Sequence, residues 1–166
     1  MASTIHFFER EMTGAEYAHE QAGFIAFTLE QGDPIETAER FGFVVIDGET
    51  FIGCASGLAY KSEISYNNWF YLSDLFIEKD YRRQGLGAAI LSRLEDRVAA
   101  LGISNIWTWT VGHEALAFYK KQGYQVFCEL EAWYASGHSR FGLRKRLLVF
   151  PPDLAQESGR IKGAFQ

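Results

Sequence analysis

The hydrophobic residues of this chain recur with two periods, and each period predicts one type of secondary structure. Apolar residues three and four positions apart favour a helix, and apolar residues that alternate with polar ones favour a strand. Helical spacing covers residues 13–31, where Thr13 is a candidate N-cap and Gly23 leaves open two short helices instead of one. A second helix ends at Gly102 and carries an apolar stripe formed by Leu86, Ile90, Leu91, Leu94 and Val98.

Short apolar or alternating runs predict the strands. They are residues 4–9, 41–46, 50–59, 68–77, 103–111, 124–133 and 141–150, of which the first alternates only weakly. The dipeptide Asp47-Gly48 favours a type I′ turn, and hence a β-hairpin, between the second and third of these runs. A short helix over residues 114–121, ended by Gly123, precedes the last two strands.

This order of elements predicts an α/β fold with a single mixed central β-sheet flanked by helices. The strand-helix-strand unit in the middle implies a parallel pair, and the hairpins at either end imply antiparallel edges. No repeat or linker divides the sequence, so we expect one domain over residues 1–150. Residues 151–166 have little apolar content, and we expect them to form a loosely held C-terminal tail.

Composition narrows the class of protein. Of the 166 residues, 48% are hydrophobic, 22% are charged and 16% are aromatic, which is typical of a soluble globular protein with a ring-rich interior. The formal net charge of -5 argues against a general nucleic-acid binder, which needs a basic surface. No secretory signal or bilayer-length apolar stretch is visible, so we expect a cytoplasmic protein without a membrane partner.

The two cysteines, Cys54 and Cys128, are far apart and lack metal-ligand spacing. We interpret both as small buried hydrophobic residues in a reducing compartment, and we expect no metal site. The basic run 144–146 is expected to be a solvated strand edge. Three aromatic residues either form a wall around a substrate or belong to the core or a dimer contact, namely Trp69, Trp133 and Tyr134.

The most informative stretch is residues 82–88, Arg-Arg-Gln-Gly-Leu-Gly-Ala, between a predicted strand and a predicted helix. Two glycines at the start of a helix let backbone N–H groups approach a ligand, and a helix N-terminus favours an anion such as phosphate. On local physics alone, the alternative that Gly85 and Gly87 serve only chain geometry has equal weight. A dinucleotide-binding motif would need a third glycine where Ile90 stands, and a P-loop would need Gly-Lys, which is absent.

Arg82-x-x-Gly85-x-Gly87, placed after an apolar strand and before an amphipathic helix, resembles the acetyl-CoA signature of the GCN5-related N-acetyltransferase (GNAT) superfamily. A second block agrees with the first. Residues 115–124, Ala-Leu-Ala-Phe-Tyr-Lys-Lys-Gln-Gly-Tyr, are similar to the superfamily's downstream helix, which carries a Phe-Tyr pair and ends in Gly-Phe or Gly-Tyr. Together the two matches span about residues 41–148, which is most of the chain.

The resemblance implies a cofactor and its contacts. The strand ending near Ile77 would splay from the strand starting near Ile103 and open a V-shaped cleft for acetyl-CoA, the co-substrate. Its pantetheine would run along the first strand, beside Leu75, Phe76 and Ile77. Its pyrophosphate would lie on the turn, and the residues implied there are Arg82, Arg83, Gln84, Gly85, Leu86, Gly87 and Ala88. Phe118 is a further implied contact.

The resemblance also implies catalytic roles. Tyr119 matches a tyrosine that protonates the leaving thiolate, and the alternative is an aromatic packing residue. Asp74 is our first candidate for the general base, because an aspartate inside a strand is unfavourable without a partner or a purpose. The alternative, a partly exposed structural carboxylate, holds about half the weight, and Glu30 and Glu63 are weaker candidates.

Two positions depart from the relatives' pattern. Tyr71-Leu72-Ser73-Asp74 resembles a segment of spermidine/spermine acetyltransferases, but Ser73 replaces an acidic residue, which puts polyamine specificity in doubt. Many relatives carry a cofactor-contacting asparagine where this chain has Gly112. Either a backbone group or His113 replaces that contact, or the contact is absent.

From these patterns we expect acetyl transfer from acetyl-CoA to a primary amine of a small molecule, by direct attack in a ternary complex. Two alternatives remain open. One is acetylation of a protein N-terminus or lysine, and the other is a CoA-binding sensor without catalysis. A homodimer through the C-terminal strands also remains open, because sheet edges need covering.

Overall fold

A computed structural model describes residues 5–149 of the chain. Its elements are α1 (Gly14–Glu30), β1 (Thr37–Asp47), β2 (Thr50–Lys61), β3 (Tyr66–Ile77), a 3-10 turn (Lys79–Tyr81), α2 (Leu86–Ala100), β4 (Asn105–Val111), α3 (His113–Lys121), β5 (Gln125–Leu130) and β6 (Arg140–Arg146). The described residues form two compact units, one up to Glu36 with α1 and one from Thr37 onwards with the remaining elements. The predicted boundary at residue 150 and the tail 151–166 lie outside the described residues.

In the first unit, α1 is a single helix that continues through Gly23. Thr13 caps it as predicted: its hydroxyl accepts the Glu16 amide at 3.3 Å, and its own amide donates to Glu16 Oε2 at 2.7 Å. The strand predicted over residues 4–9 is wrong for residues 5–9, which have no regular structure. Alternation alone does not make a strand, because the backbone groups also need a neighbouring strand to bond. Thr4 lies outside the described residues.

The second unit contains one mixed sheet in the order β1-β2-β3-β4-β6-β5. β3 and β4 are parallel and are connected through α2, and all other neighbours are antiparallel. α2 packs on β1, β2 and β3, and α3 packs beside β4. This arrangement confirms the predicted α/β class with a mixed central sheet.

The core of this unit lies between α2 and the sheet. The predicted stripe of α2 is buried at Ile90, Leu91, Leu94 and Val98. It packs into the same cluster as strand residues of the sheet's inner face, chiefly Ala55, Phe70, Leu72, Ile106 and Leu143. Burial of these side chains stabilises the unit and fixes which face of each strand points to the helices.

The strands differ from the prediction mainly at their ends. β1, β2 and β3 are longer than expected, whereas β4, β5 and β6 are shorter. The type I′ turn is also wrong: Asp47 pairs with Thr50, so the turn residues are Gly48 and Glu49, and only Gly48 has a positive φ, 59°. A type I′ turn requires positive φ at both central residues.

The basic run at the end of β6 is not a solvated edge. β6 lies between β4 and β5, and the ammonium of Lys145 donates to Glu95 Oε2 at 2.6 Å, with both side chains largely shielded from solvent. Arg144 and Arg146 are exposed, as expected for such a run. Alternation along β6 therefore turns Lys145 towards α2, because Glu95 lies on that helix.

Candidate active site

The candidate site begins where β3 and β4 separate. The two parallel strands pair only from Trp69–Asn105 to Tyr71–Trp107. Beyond that point β3 continues to Ile77 along β2, while β4 continues to Val111 along β6. The gap forms a cleft of about 840 Å³ between the strand ends, the turn before α2, and α3. This is the V-shaped cleft that the resemblance to the superfamily implies.

A β-bulge shapes the β3 side of the cleft. Asp74 pairs with Ser56 and Leu72 pairs with Gly57, so Ser73 is an extra residue without a partner on β2. The bulge moves the alternation of β3 by one residue. Leu75 and Ile77 consequently pack against the core, whereas Asp74 is exposed. With strict alternation, Asp74 would share the buried face of Phe70 and Leu72, where an unpaired charge is costly.

Asp74 is held by three donors that converge on one of its oxygens. Oδ2 accepts hydrogen bonds from Ser73 Oγ at 2.6 Å, Ser56 Oγ at 2.8 Å and Arg40 Nη1 at 2.9 Å. The bonds from Ser73 and Ser56, together with Arg40, hold the pKa of Asp74 below its ordinary value of 3.8, although partial burial opposes them. Oδ1 has no hydrogen-bond partner among residues 5–149. Asp74 is therefore a fixed carboxylate with one free oxygen.

The turn before α2 has the backbone geometry of an anion site. Gly85 is the N-cap of α2 with φ 82°, a conformation that favours glycine, and Arg83 also has a positive φ of 62°. No side chain caps this end of the helix, so the amides of its first turn are free to donate to an anion. Arg82 Nε donates to the carbonyl of Ile77 at 2.8 Å, which ties the turn to the end of β3.

Gly87 brings the α2 backbone close to the cleft wall. A Cβ at this position would lie 3.6 Å from the Phe118 ring and 3.7 Å from Ile77 Cγ1. Gly87, Phe118 and Ile77 all line the cleft. The φ of Gly87 is not positive, so its backbone does not require a glycine. The absence of a side chain instead leaves space in the cleft.

Tyr119 is the most buried ionisable side chain that lines the cleft. It lies on α3 with 6% of its surface exposed, and its ring contacts those of Phe118 and Tyr124 at 5.3 and 5.2 Å. Burial raises the pKa of Tyr119 to about 12, and the neighbouring side chain of Thr108 partly offsets that effect. The phenol therefore stays protonated at neutral pH and can act as a donor.

The cleft brings together most of the residues that the sequence analysis selected. Those that line it are Leu75, Phe76, Ile77, Arg82, Arg83, Gly85, Gly87, Ala88, Phe118 and Tyr119. Gln84 and Leu86 do not line it, although they belong to the same turn, and Gln84 Nε2 donates to the carbonyl of Asp80 at 3.2 Å. Asp74 and Glu63 also lie outside the lining, and Asp74 is beside Ser73, which is part of it.

Several lining residues escaped the sequence analysis. The main ones are Ser73, Thr108, Trp109, Thr110 and Glu114. Thr108 and Thr110 alternate with tryptophans along β4, and this pattern marks a face of the strand but not its proximity to a cleft. The sequence analysis named Ser73 only as a departure from a polyamine acetyltransferase pattern, and its place in a bulge depends on the pairing register.

The backbone conformation explains why this chain has a glycine where many relatives carry an asparagine. Gly112 precedes α3 with φ 77° and ψ 157°, a region that side chains disfavour. His113 is the first residue of α3 and is exposed. Neither residue lines the cleft.

Other candidate chemistry is sparse in the part of the chain that the structure describes. No group of three or more His, Cys, Asp and Glu side chains there is arranged to hold a metal ion. Cys54 and Cys128 are free thiols, and both are half-buried instead of fully buried as predicted. None of the described helices has the length and apolar character that crossing a membrane requires.

Comparison with known proteins identifies similar chains. The acetyltransferase (GNAT) family model matches residues 4–124. An uncharacterized N-acetyltransferase of Bacillus subtilis is 30% identical over 129 residues, covering 74% of this chain and 84% of that protein. An L-ornithine N5-acetyltransferase of Arabidopsis thaliana is 36% identical over 64 residues, which are 36% of this chain and 27% of that protein. A thialysine N-epsilon-acetyltransferase of Bos taurus is 30% identical over 86 residues, 47% of this chain and 48% of that protein.

The chain thus spans about a quarter of the ornithine relative and about half of the thialysine relative.

Solved structures agree on the fold. An acetyltransferase from Bacillus cereus has a TM-score of 0.69 at 23% identity and covers 85% of this chain and 98% of its own. An aminoglycoside 6'-N-acetyltransferase complexed with coenzyme A has a TM-score of 0.56 at 18% identity, with 68% of this chain and 76% of its own covered.

Proposed function

Because the chain belongs to the acetyltransferase (GNAT) family, we propose that it transfers the acetyl group of acetyl-CoA to a primary amine of a small molecule. The amine attacks the thioester directly in a ternary complex. One observation supports this most strongly. The uncapped, positive-φ turn before α2, the separated strands β3 and β4, and the protonated phenol of Tyr119 all open onto one cleft.

The residues of the cleft suit acetyl-CoA as a substrate. The free amides at the start of α2 and the side chains of Arg82 and Arg83 would hold the pyrophosphate, because both supply positive charge to an anion. Beyond Tyr71, the β3 backbone lacks a β4 partner, so the N–H and C=O groups that are not bonded to β2 or to Arg82 are free to bond the amides of the pantetheine. Bound acetyl-CoA supplies an acetyl group activated as a thioester.

Tyr119 acts on the leaving group in this proposal. As the amine nitrogen bonds to the carbonyl carbon, the carbon–sulfur bond breaks and its electron pair passes to sulfur. The phenol of Tyr119 donates a hydrogen bond to the sulfur as the thiolate leaves, and its position in the cleft and its protonation at neutral pH support this role. A group that is protonated throughout the physiological range is suited to donate and unsuited to accept.

Asp74 acts on the amine in this proposal. Acetyl-CoA occupies the cleft side of the sheet in this proposal. The amine therefore approaches the gap between β3 and β4 from the opposite face, where Asp74 has its free Oδ1. The lowered pKa makes Asp74 a weak base. Asp74 is therefore better suited to hold the ammonium group of the acceptor while water removes the ammonium proton. The role of general base, which the sequence suggested, remains the alternative.

A small-molecule acceptor is favoured by the names of the curated relatives, which are acetyltransferases for ornithine and thialysine. Acetylation of a protein amine and a sensor function without catalysis remain the competing proposals. We also propose that the protein acts in the cytoplasm without nucleic-acid or membrane partners, and that it forms a homodimer. Measurement of the molar mass in solution tests the dimer.

The function is tested by thiol release from acetyl-CoA with a panel of primary amines, while coenzyme A binding is followed by calorimetry. Turnover on one class of small amine is the expected result. Tight binding without turnover on small amines would favour a protein acceptor or a sensor. Absence of coenzyme A binding would refute the central proposal.

Gly87→Val provides a matched test of the cleft. Its side chain would enter the space between α2, Phe118 and Ile77 without backbone strain, so we expect coenzyme A affinity to fall by at least about 10-fold. Ala89→Val is the control, because Ala89 is exposed on the same helix and does not line the cleft. Its affinity should stay within about 2-fold of the wild type. Equal affinities for both variants would place coenzyme A elsewhere.

A further inference from the structure

Arg140 is a cation held between two aromatic rings. Its guanidinium lies 4.9 Å from the centre of the Trp109 ring and 5.2 Å from that of Trp133. Such stacking orients the guanidinium plane and partly removes its water. No carboxylate lies within 4.0 Å of Arg140 among residues 5–149. The described structure thus orients this positive charge without neutralising it.

Arg140 lies at the same end of the sheet as the cleft. It is the first residue of β6 and pairs with Val111, the last residue of β4. Trp109, on which the guanidinium stacks, lines the cleft itself. Arg140 therefore contacts a ring that lines the cleft.

The rings around Arg140 are held in place by the chain. Gly142 pairs with Trp109, and a Cβ at Gly142 would lie 2.9 Å from the Phe127 ring and 3.1 Å from the Trp109 ring. Only a glycine therefore lets these two rings meet across β6, with centroids 6.2 Å apart.

Trp133 lies in the loop between β5 and β6, and internal hydrogen bonds fix this loop. The amide of Gly137 donates to the carbonyl of Tyr134 at 2.8 Å, and the amide of Tyr134 donates to the carbonyl of His138 at 3.2 Å. Ala132, next to Trp133, has a positive φ of 49°, which is uncommon for a residue other than glycine. Strained backbone of this kind persists where the surrounding structure enforces it.

Asp74, on the other side of the gap between β3 and β4, has a charge opposite to that of Arg140. Asp74 on β3 presents its free Oδ1, whereas Arg140 on β6 presents an unneutralised guanidinium. Only β4 lies between these strands, so the two backbones are at least about 10 Å apart, which is two inter-strand spacings. An acceptor that touches both groups needs a positive end and a negative end joined by an extended chain.

We propose that the acceptor carries a carboxylate, which Arg140 binds while the amine to be acetylated lies at Asp74. The inference rests on the proposed acetyltransferase function and narrows its substrate class to amino acids acetylated at the side-chain amine. Because the guanidinium stacks on Trp133, on the side of β4 away from β3, we expect the amine and the carboxylate to be on different carbons. The apolar faces of Trp109 and Trp133 suit the methylene chain between them.

Matched acceptors test the proposal. L-ornithine and L-lysine differ from 1,4-diaminobutane and 1,5-diaminopentane only by the carboxylate. In the thiol-release assay, the wild type should prefer the carboxylated member of each pair by at least about 10-fold in kcat/KM. Arg140→Gln should lower kcat/KM for the amino acids by about 10- to 100-fold and for the diamines by less than about 3-fold.

Arg144→Gln is the matched control, since Arg144 is an exposed arginine on the same strand and does not line the cleft. It should keep the preference of the wild type. Turnover of diamines and amino acids at equal rates would overturn the carboxylate site and leave the acetyltransferase function standing. Equal losses for both members of a pair in Arg140→Gln would overturn it as well, because they would indicate a general structural role.

A binding measurement decides the proposal even if none of these amines is acetylated. Nδ-acetyl-L-ornithine and N-acetyl-1,4-diaminobutane, the two products, are titrated calorimetrically into the protein saturated with coenzyme A. Tighter binding of the carboxylated product to the wild type, lost in Arg140→Gln, would support the site. Equal affinity or no binding of either product would overturn it, whereas failure of coenzyme A to bind would refute the proposed function instead.

Discussion

The substitution Tyr119→Phe removes one oxygen from a buried ring and leaves its packing in place. The ring contacts with Phe118 and Tyr124, at 5.3 and 5.2 Å, do not involve that oxygen. The hydroxyl has two roles in our account. It lies beside the side chain of Thr108 in the free protein, and it donates to the leaving sulfur in the reaction.

These two roles have different magnitudes. Loss of the hydroxyl beside Thr108 should lower the free energy of unfolding by no more than about 1 kcal/mol, which corresponds to a fall of at most about 2–4 °C in Tm. A hydrogen bond to a group that develops charge is worth about 1.5–3 kcal/mol, so kcat should fall by roughly 10- to 150-fold. Affinity for coenzyme A should change by less than about 3-fold, because no packing contact is lost.

The raised pKa of Tyr119 adds a dependence on pH. The pKa of Tyr119 is about 12 in the folded state, above the ordinary value of 10, so the protonated phenol contributes to the free energy of unfolding. This contribution is fully present below pH 10 and is lost as pH rises to 12. Two pKa units correspond to about 2.7 kcal/mol. Over this range, the free energy of unfolding of the wild type should therefore fall by up to that amount more than that of Tyr119→Phe. Between pH 6 and 9 the ratio of the two kcat values should be constant.

The assay combines steady-state thiol release, calorimetric binding of coenzyme A and denaturant unfolding. Tyr124→Phe is the control, since Tyr124 is as buried as Tyr119, does not line the cleft, and its hydroxyl has no hydrogen-bond partner among the described residues. Its kcat should match the wild type. A kcat for Tyr119→Phe within about 2-fold of the wild type, with unchanged affinity for coenzyme A, would refute the donor role.

Two further substitutions test the site. Asp74→Asn should lower kcat/KM for the acceptor by about 10-fold at every pH between 5 and 9, because the pKa of Asp74 lies below 3.8 and its charge is constant there. A shift of the pH profile instead of a uniform fall would return Asp74 to the role of base. Gly85→Ala should lower the free energy of unfolding by about 1 kcal/mol, because φ is 82° at Gly85. Gly23→Ala, inside α1 with open space around it, should leave stability unchanged or raise it by about 0.5–1 kcal/mol, as thermal unfolding would show.

The sequence by itself determined the features that depend on neighbours along the chain. The spacing of Leu86, Ile90 and Leu94 sets the inner face of α2, and Thr13 and Glu16 set the start of α1. The turn 82–88 also follows from local sequence, because a glycine at position 85 permits the positive φ that aims the α2 amides at the cleft. The resemblance to the acetyltransferase superfamily implied most of the lining residues on this turn, and it implied Phe118 and Tyr119 on α3.

Only the tertiary structure decided the features that depend on strand register. The extra residue at Ser73 exists only relative to β2, and it alone turns Asp74 away from the core. Arg40, which bonds Asp74, is 34 positions away along the chain. Arg140 meets Trp109 only because β6 inserts between β4 and β5, and the same insertion brings Lys145 to Glu95. Sequence periodicity reports which face a side chain occupies, but the partner across the sheet depends on how distant segments pair.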